Sequence, residues 1–455
     1  MKEERLTVAV GDSEQMKVLG VPSYHPGGDK SSGEIVSRLS FDLLTKWGCA
    51  GNIVNMVFDT TSSNTGHLSA ACISIQAILG RPLLWSGCRH HIGELVVGHV
   101  FTDLKIEGSK SPEVALFQRL QKNWELLPYS QTEVKLDCMN MDDFPEDSMM
   151  LVTSLKEDAL AVANHYQEAS RDDYLEFVNL TRKFLDPETP ITFMRPGAMH
   201  KARWLAKLLY MIKISLFETA ISDLPAGSIT SKQQTKKDRK FVHFVTLLFS
   251  TWWMKCTCAT DAPWNDLCFY KNILSYRAVD ELVSTSAQKA LDRHLWYLTD
   301  ELVPLALFGP NVPEIEKRQV AERLMAVKTD DVVAPTGRFG TGFGKPAFQK
   351  NITETTKLAD FITADSWYFF SLLRLDPNFL SLAVDQWLDD DSYKESAKNV
   401  KAINVVNDCA ERGVKLSSDF LSAARSEENY QNVIQVVESN RKAVPNLRKR
   451  KDNTI

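Results

Sequence analysis

Apolar positions recur with two different rhythms along this chain. In the first hundred residues, short apolar runs alternate with turns. Residues 5–10 and 16–24 predict two strands joined by a Gly11-Asp12 turn. Residues 25–33 (HPGGDKSSG) predict a loop that leads into a helix. Over residues 34–47, Ile35, Leu39, Leu43 and Leu44 fall on one face, the pattern of an amphipathic helix. Residues 53–58 (IVNMVF) are apolar and partly β-branched, so they predict a buried strand, and this strand ends at Asp59. Small hydroxyl and amide residues follow, from Thr60 to Asn64, then Gly66. An alanine-rich stretch over 67–79 predicts a helix. A second apolar run, Pro82 to Trp85, precedes Cys88-Arg89-His90-His91.

Beyond about residue 105 the rhythm becomes helical. Ser111-Pro112-Glu113 is a helix start, with serine as cap and proline in the first turn. Phe117, Leu120, Trp124 and Leu127 then repeat at helical spacing. Residues 146–186, 197–222, 238–258, 277–307 and 313–328 predict helices, with breakers at Asp186-Pro187 and Gly309-Pro310. Residues 330–351 predict a loop. Its Gly344-Lys345 pair is not a phosphate loop, because Phe339 stands where the first glycine belongs and Pro346 follows the lysine. Residues 391–414 predict a helix that places Ala397, Val400, Ile403 or Asn404, and Asn407 on the side of Glu411. Residues 427–441 predict a last helix. The expected organisation is a mixed α+β chain. An α/β domain over 1–105 is interrupted by an all-helical insertion over 106–395, resumes as C-terminal helices over 396–442, and ends in a basic tail over 443–455.

Composition narrows the function classes. A net charge of −5 gives no global attraction to nucleic acid, so any DNA contact has to come from a local basic patch. No apolar run is long enough to span a bilayer, and the segment MKEERLTVAV has no secretory core, so no membrane partner is expected. Eight cysteines scattered through a chain of this size fit reduced thiols, hence a nuclear or cytoplasmic location. The run Arg448-Lys449-Arg450-Lys451 has the composition of a nuclear import signal, and equally that of a solvated terminus.

The block from Phe58 to Gly66, followed by Cys88-x-x-His91, resembles the hAT-like branch of the DDE transposases. Two further segments resemble that family in the same order. Residues 195–218, with Arg203-Trp204, resemble its helical insertion, and residues 407–416 (NDCAERGVKL) resemble its Glu-Arg helix. The resemblance implies an RNase H-like domain split by a helical insertion. It implies metal-dependent DNA cleavage and strand transfer, with Mg²⁺ or Mn²⁺ held by carboxylates. Asp59 would be the second carboxylate and Glu411 the third. It also implies DNA as partner, a homo-oligomer and a nuclear location. The family's first carboxylate sits on a central strand that precedes the hairpin. The hairpin here begins near Leu6, and Glu3, Glu4 and Asp12 are poorly placed to replace that residue. The expectation is therefore an impaired enzyme whose sheet lacks one strand between the hairpin and the strand bearing Asp59. The alternative from another class is a nucleic-acid- or protein-binding module that keeps the fold without the chemistry, or a decayed fragment.

Each candidate residue also has a purely structural reading. Asp59 could cap the helix that follows it. Cys88 and His91 have metal-ligand spacing, with Cys72, His90 or His99 as remote partners, but a zinc site needs about four ligands and zinc is not expected. Cys256, Cys258 and Cys268 lie in a Trp-rich stretch that reads as helical core. Lys201, Arg203 and Lys207 could form a basic face beside Trp204, with Arg203 on phosphate and the indole stacked on a base. Trp204 reads equally as a core anchor, and Glu411 could sit in an ion pair with Arg412.

Overall fold

The computed structural model describes residues 4–403 except 7, 12–15, 21, 25–31, 67–69, 107–113, 131–134, 167–171, 198–202, 226–227, 230–231, 256–257 and 329–350. Glu411, Lys201, the basic tail and the Gly344-Lys345 loop therefore lie outside the described residues. The chain is mostly helical with a few small sheets, so it is mixed α+β.

All described strands precede residue 88. β1 (Glu4–Arg5) pairs with β4 (Ser23–Tyr24), and β2 (Val8–Gly11) pairs with β3 (Met16–Gly20), both antiparallel. Sequence reading predicts two continuous strands here, and each is split in two. Pro22 has no N–H to give a ladder, but its carbonyl accepts from Leu6 N–H at 2.9 Å, so the two pieces still run as one interrupted hairpin. The register also shifts between Val8 and Ala9.

Helix α1 (Ser32–Lys46) follows, with Glu34 in its first turn and Lys46 in its last, each favourable to the helix dipole. The chain then enters β5 (Asn55–Phe58), the short α2 (Ser62–Thr65), α3 (Ala71–Leu79) and β6 (Leu84–Gly87). β5 and β6 are parallel, which requires the crossover that α3 supplies. Gly80, at φ +69°, ends α3 by donating to the carbonyls of Gln76 and Ala77. Gln76 then accepts from Leu83 N–H (2.7 Å) and Trp85 Nε1–H (3.1 Å), which fixes the approach of β6.

The helical part starts with α4 (Arg89–Asp103) and α5 (Ala115–Asn123), then α6 (Met149–His165) and α7 (Asp172–Leu185). Next come α8 (Arg203–Leu216), α9 (Glu218–Ser222) and α10 (Lys232–Phe244). A fully buried π-helical turn, Val245–Phe249, joins α10 to α11 (Ser250–Lys255). α12 (Ala262–Ser275), α13 (Glu281–Leu291), α14 (Glu314–Ala326), α15 (Trp367–Leu373) and α16 (Asp391–Val400) complete the described helices. Two predicted helices are shorter than their apolar spacing implies. The segment after α13 breaks into two short 3₁₀ stretches, Trp296–Leu298 and Val303–Phe308, the second with Pro304 in its first turn. α16 ends at Val400, followed by a turn, so the continuation to Glu411 is not among the described residues.

One large set of mutually packed apolar side chains runs from Phe58 on β5 to Ile403, taking in β6, α4 and the later helices. The hairpin and α1 instead rest on a separate, small cluster: Leu19, Leu44 and Ile75, flanked by Val8, Val10 and Met56. No described helix is long and apolar enough to cross a membrane.

Candidate functional site

Asp59 is the first residue past the C-terminal end of β5, where open α/β sheets present ligand-binding groups. Its carboxylate is fixed locally. Oδ1 accepts from Thr61 Oγ1 (2.6 Å), Thr61 N–H (3.2 Å) and Asn64 Nδ2 (2.7 Å). The Asn64 amide also reaches the Asp59 carbonyl at 3.3 Å. These bonds form an Asx-type turn just before α2; Thr61, not Asp59, stands at the N-cap of that helix and makes no side-chain cap bond, so Asp59 orders the turn rather than capping the helix. All three carboxylate bonds converge on Oδ1, which leaves Oδ2 outside the set.

The parallel ladder brings the next motif alongside. Cys88 N–H donates to Phe58 O at 2.8 Å, so the start of α4 abuts the end of β5. Cys88 is buried. His91, in the first turn of α4, lies 3.8 Å from Glu94 through Nδ1. His90 is buried and accepts from Trp253 Nε1–H at 3.1 Å through Nε2, which places its proton on Nδ1, 3.5 Å from Tyr174 Oη. Cys72 on α3 is fully buried, and burial followed by the Asp59 charge raises its thiol well above the ordinary range.

Asp59, Asn64, Cys72, Cys88, His90, His91, Glu94 and Trp204 all border one cavity of about 740 Å³. Among the described residues, no group of three or more His, Cys, Asp or Glu side chains is arranged to hold a metal ion. Among the described residues that line the cavity, Asp59 and Glu94 carry carboxylates.

The DNA-contact candidates are placed unevenly. Trp204 is buried, with its ring 5.3 Å from His90, 6.1 Å from Trp253 and 6.0 Å from Phe249. Lys207 is half-buried over the Phe101 ring at 5.6 Å, and burial lowers its ammonium pKa against the opposing pull of Glu94. Arg203 begins α8. The structure therefore brings Trp204, Cys88 and His91 to the Asp59 cavity, and it ties Lys207 to an aromatic ring rather than to an open basic face.

Residues from the helical part also hold the strand ends, and the sequence reading does not find them. Trp296 stacks on Trp85 (6.1 Å, 26°) and meets Phe58 edge-on (6.0 Å). Tyr297 Oη–H donates to Gly87 O at 3.0 Å. Arg89, at the start of α4, pairs with Asp266 at 2.8 Å and lies over the Trp252 ring at 4.5 Å. The Trp296-Tyr297 pair is the one visible signal, and nothing local ties it to residues 58–87. A comparison of this chain with family models, curated proteins and solved structures finds no match.

Proposed function

We propose that the chain is an hAT-transposase-like protein, its α/β part RNase H-like and its long helical part an insertion. The ancestral chemistry would be metal-dependent cleavage and strand transfer on DNA. The observation that carries the reading is the position of Asp59. It follows an antiparallel hairpin, a helix and the first of two parallel strands, and it stands at that strand's C-terminal end with one carboxylate oxygen locked and the other outside the lock. The order of Asp59, Cys88-x-x-His91 and Arg203-Trp204, with Trp204 and Cys88 on the same cavity, supports it further.

On this reading Asp59 and Glu411 are two of the carboxylates that bind Mg²⁺ or Mn²⁺. A bound metal pair would supply charge stabilisation at the scissile phosphate. Asp59 would offer Oδ2 as a hard oxygen ligand while Thr61 and Asn64 hold its orientation. The reading predicts that the chain binds DNA and that any metal-dependent nicking needs Asp59 and Glu411. The test is a supercoiled-plasmid nicking assay with Mg²⁺ or Mn²⁺, beside a duplex-binding titration. DNA binding unchanged in Asp59→Ala and Glu411→Ala, with background nicking, supports an impaired enzyme. Strong nicking lost in Asp59→Ala restores the active-enzyme reading. Absence of DNA binding removes the transposase reading altogether.

A further inference from the structure

The Asp59 cavity has walls from two parts of the fold. β2 and α1 form one wall, through Val8, Val10, Val36 and Leu44 among others. β5, α3 and α4 form the facing wall, and Ala402 and Ile403 also border the space. The first wall is tied within itself. Trp47, the residue after α1, donates its Nε1–H to Leu19 O of β3 at 3.0 Å. The Lys17 ammonium lies over the same ring at 4.1 Å. Leu43 packs so near Gly20 that a Cβ there would meet it at 3.0 Å. The facing wall belongs instead to the large core, through Phe58, Cys72 and Ile92.

The seam between the two parts is small. Among the described residues, its buried side chains are Leu19 and Leu44 against Ile75 of α3, with Met56 and Leu79 at the margin. A unit held by little buried apolar surface opens at low free energy. Its connector to β5 is short. Gly48, at φ +69°, ends α1, with Gly48 N–H on Thr45 O and Cys49 N–H on Leu44 O. A single 3₁₀ turn, Ala50–Asn52, leads to the extended Ile53.

Arg81 clasps this connector. Its Nη2 donates to the carbonyls of Ala50 (3.3 Å), Gly51 (3.1 Å) and Ile53 (2.6 Å). These are charge-assisted bonds, the stronger kind. The clasp is anchored from the core side, because Tyr368 Oη–H on α15 donates to the next carbonyl, Pro82 O, at 3.0 Å.

We propose that β2, β3 and α1 are a lid on the Asp59 cavity. The lid swings as one piece on residues 49–53 and parts the Leu44–Ile75 seam, and Arg81 holds it shut. The inference concerns access to the cavity, and it stands whether or not Asp59 takes part in cleavage.

The test is alkylation of the full chain by iodoacetamide, read peptide by peptide by mass spectrometry, beside amide hydrogen exchange. Cys72 is the reporter: it is buried, borders the cavity and lies one turn before Ile75 on α3. Cys268 on α12 is the control. In low urea the alkylation rate of Cys72 should barely depend on urea, since a swing exposes little new surface. The α1 amides from Leu39 to Leu44 should stay protected on that timescale. Arg81→Met should speed Cys72 alkylation about tenfold and leave Cys268 unchanged. Cys72 alkylation only at the urea-dependent rate of global unfolding overturns the proposal. So does α1 exchange as fast as Cys72 alkylation, because the unit then melts instead of swinging. Equal acceleration of Cys72 and Cys268 in Arg81→Met overturns it as well, because the arginine then supports the whole fold and not a lid.

Discussion

Asn64 donates one side-chain N–H to Asp59 Oδ1 at 2.7 Å and sets the direction of the carboxylate at the end of β5. Thr61 shares the same oxygen, so the lock has two parts. Asn64→Ala should remove a charge-assisted bond worth about 1 kcal/mol at this half-buried position. It should also free Asp59 to rotate. The check is a double-mutant cycle with Asp59→Ala by chemical denaturation. A coupling near zero would mean that the contact contributes nothing to the fold.

Arg89 and Asp266 form a nearly solvent-free pair, with Trp252 Nε1–H as a further donor to Asp266 Oδ1 at 2.8 Å. Burial raises the Asp266 pKa, and Arg89 and then Trp252 oppose that rise. Arg89→Met therefore leaves a carboxylate buried with one partner fewer, at a cost of about 3–5 kcal/mol. Its folded-state pKa moves further above its unfolded value, so the deficit is full above the folded pKa and shrinks as pH falls through it and the group becomes neutral. Arg89→Met with Asp266→Leu should regain most of the loss. Melting curves of the single and double variants at two pH values distinguish this from simple loss of packing.

Much of the α/β part is legible locally because its signals are local. The apolar run over 53–58 names a strand, and the small polar residues after Asp59 name its end. The Ile35, Leu39, Leu43 and Leu44 spacing names α1. What holds those elements is not local. Arg89 and Asp266 are 177 residues apart, and Tyr297 reaches Gly87 from 210 residues away. No periodicity in either segment carries that information. The split hairpin is a milder case: apolar content predicts strand on both sides of Pro22, and only the missing N–H interrupts the ladder. At Lys207 the positive charge is visible in the sequence, but the Phe101 ring beneath it is not.

His243 links stability to pH. It is buried against the rings of Phe144 (4.5 Å) and Phe184 (5.8 Å). Burial, then the Arg239 charge, lowers its pKa from 6.5 to about 3. The folded protein keeps the ring neutral while the unfolded chain protonates below about 6.5. Stability from this residue is complete above that value and is lost as pH falls toward the folded pKa, at up to about 1.4 kcal/mol per pH unit. His294, lowered to about 4, acts in the same sense. His243→Gln should flatten the acid limb of the stability profile between pH 6 and pH 4, as read from denaturation midpoints. An unchanged limb would place the acid sensitivity elsewhere.

Gly87 and Gly98 make opposite forecasts for the same substitution. A Cβ at Gly87 would lie 2.9 Å from the Trp296 ring and 3.2 Å from Thr60 Cγ2. Trp296 has little room to withdraw, because Trp85 stacks on it and Phe58 meets its edge. Gly87→Ala should therefore cost about 1–3 kcal/mol by overpacking. It should also displace the end of β6, which carries the Tyr297 bond and sits next to the Cys88–Phe58 bond that aligns Asp59. Gly98 lies inside α4 with nothing within 4 Å of its Cβ position. Gly98→Ala should stabilise by about 0.5–1 kcal/mol through lower backbone entropy in the unfolded chain. If both variants melt alike, the close seat of Trp296 on β6 is not what fixes the strand end, and the alignment of Asp59 must come from the Asx turn alone.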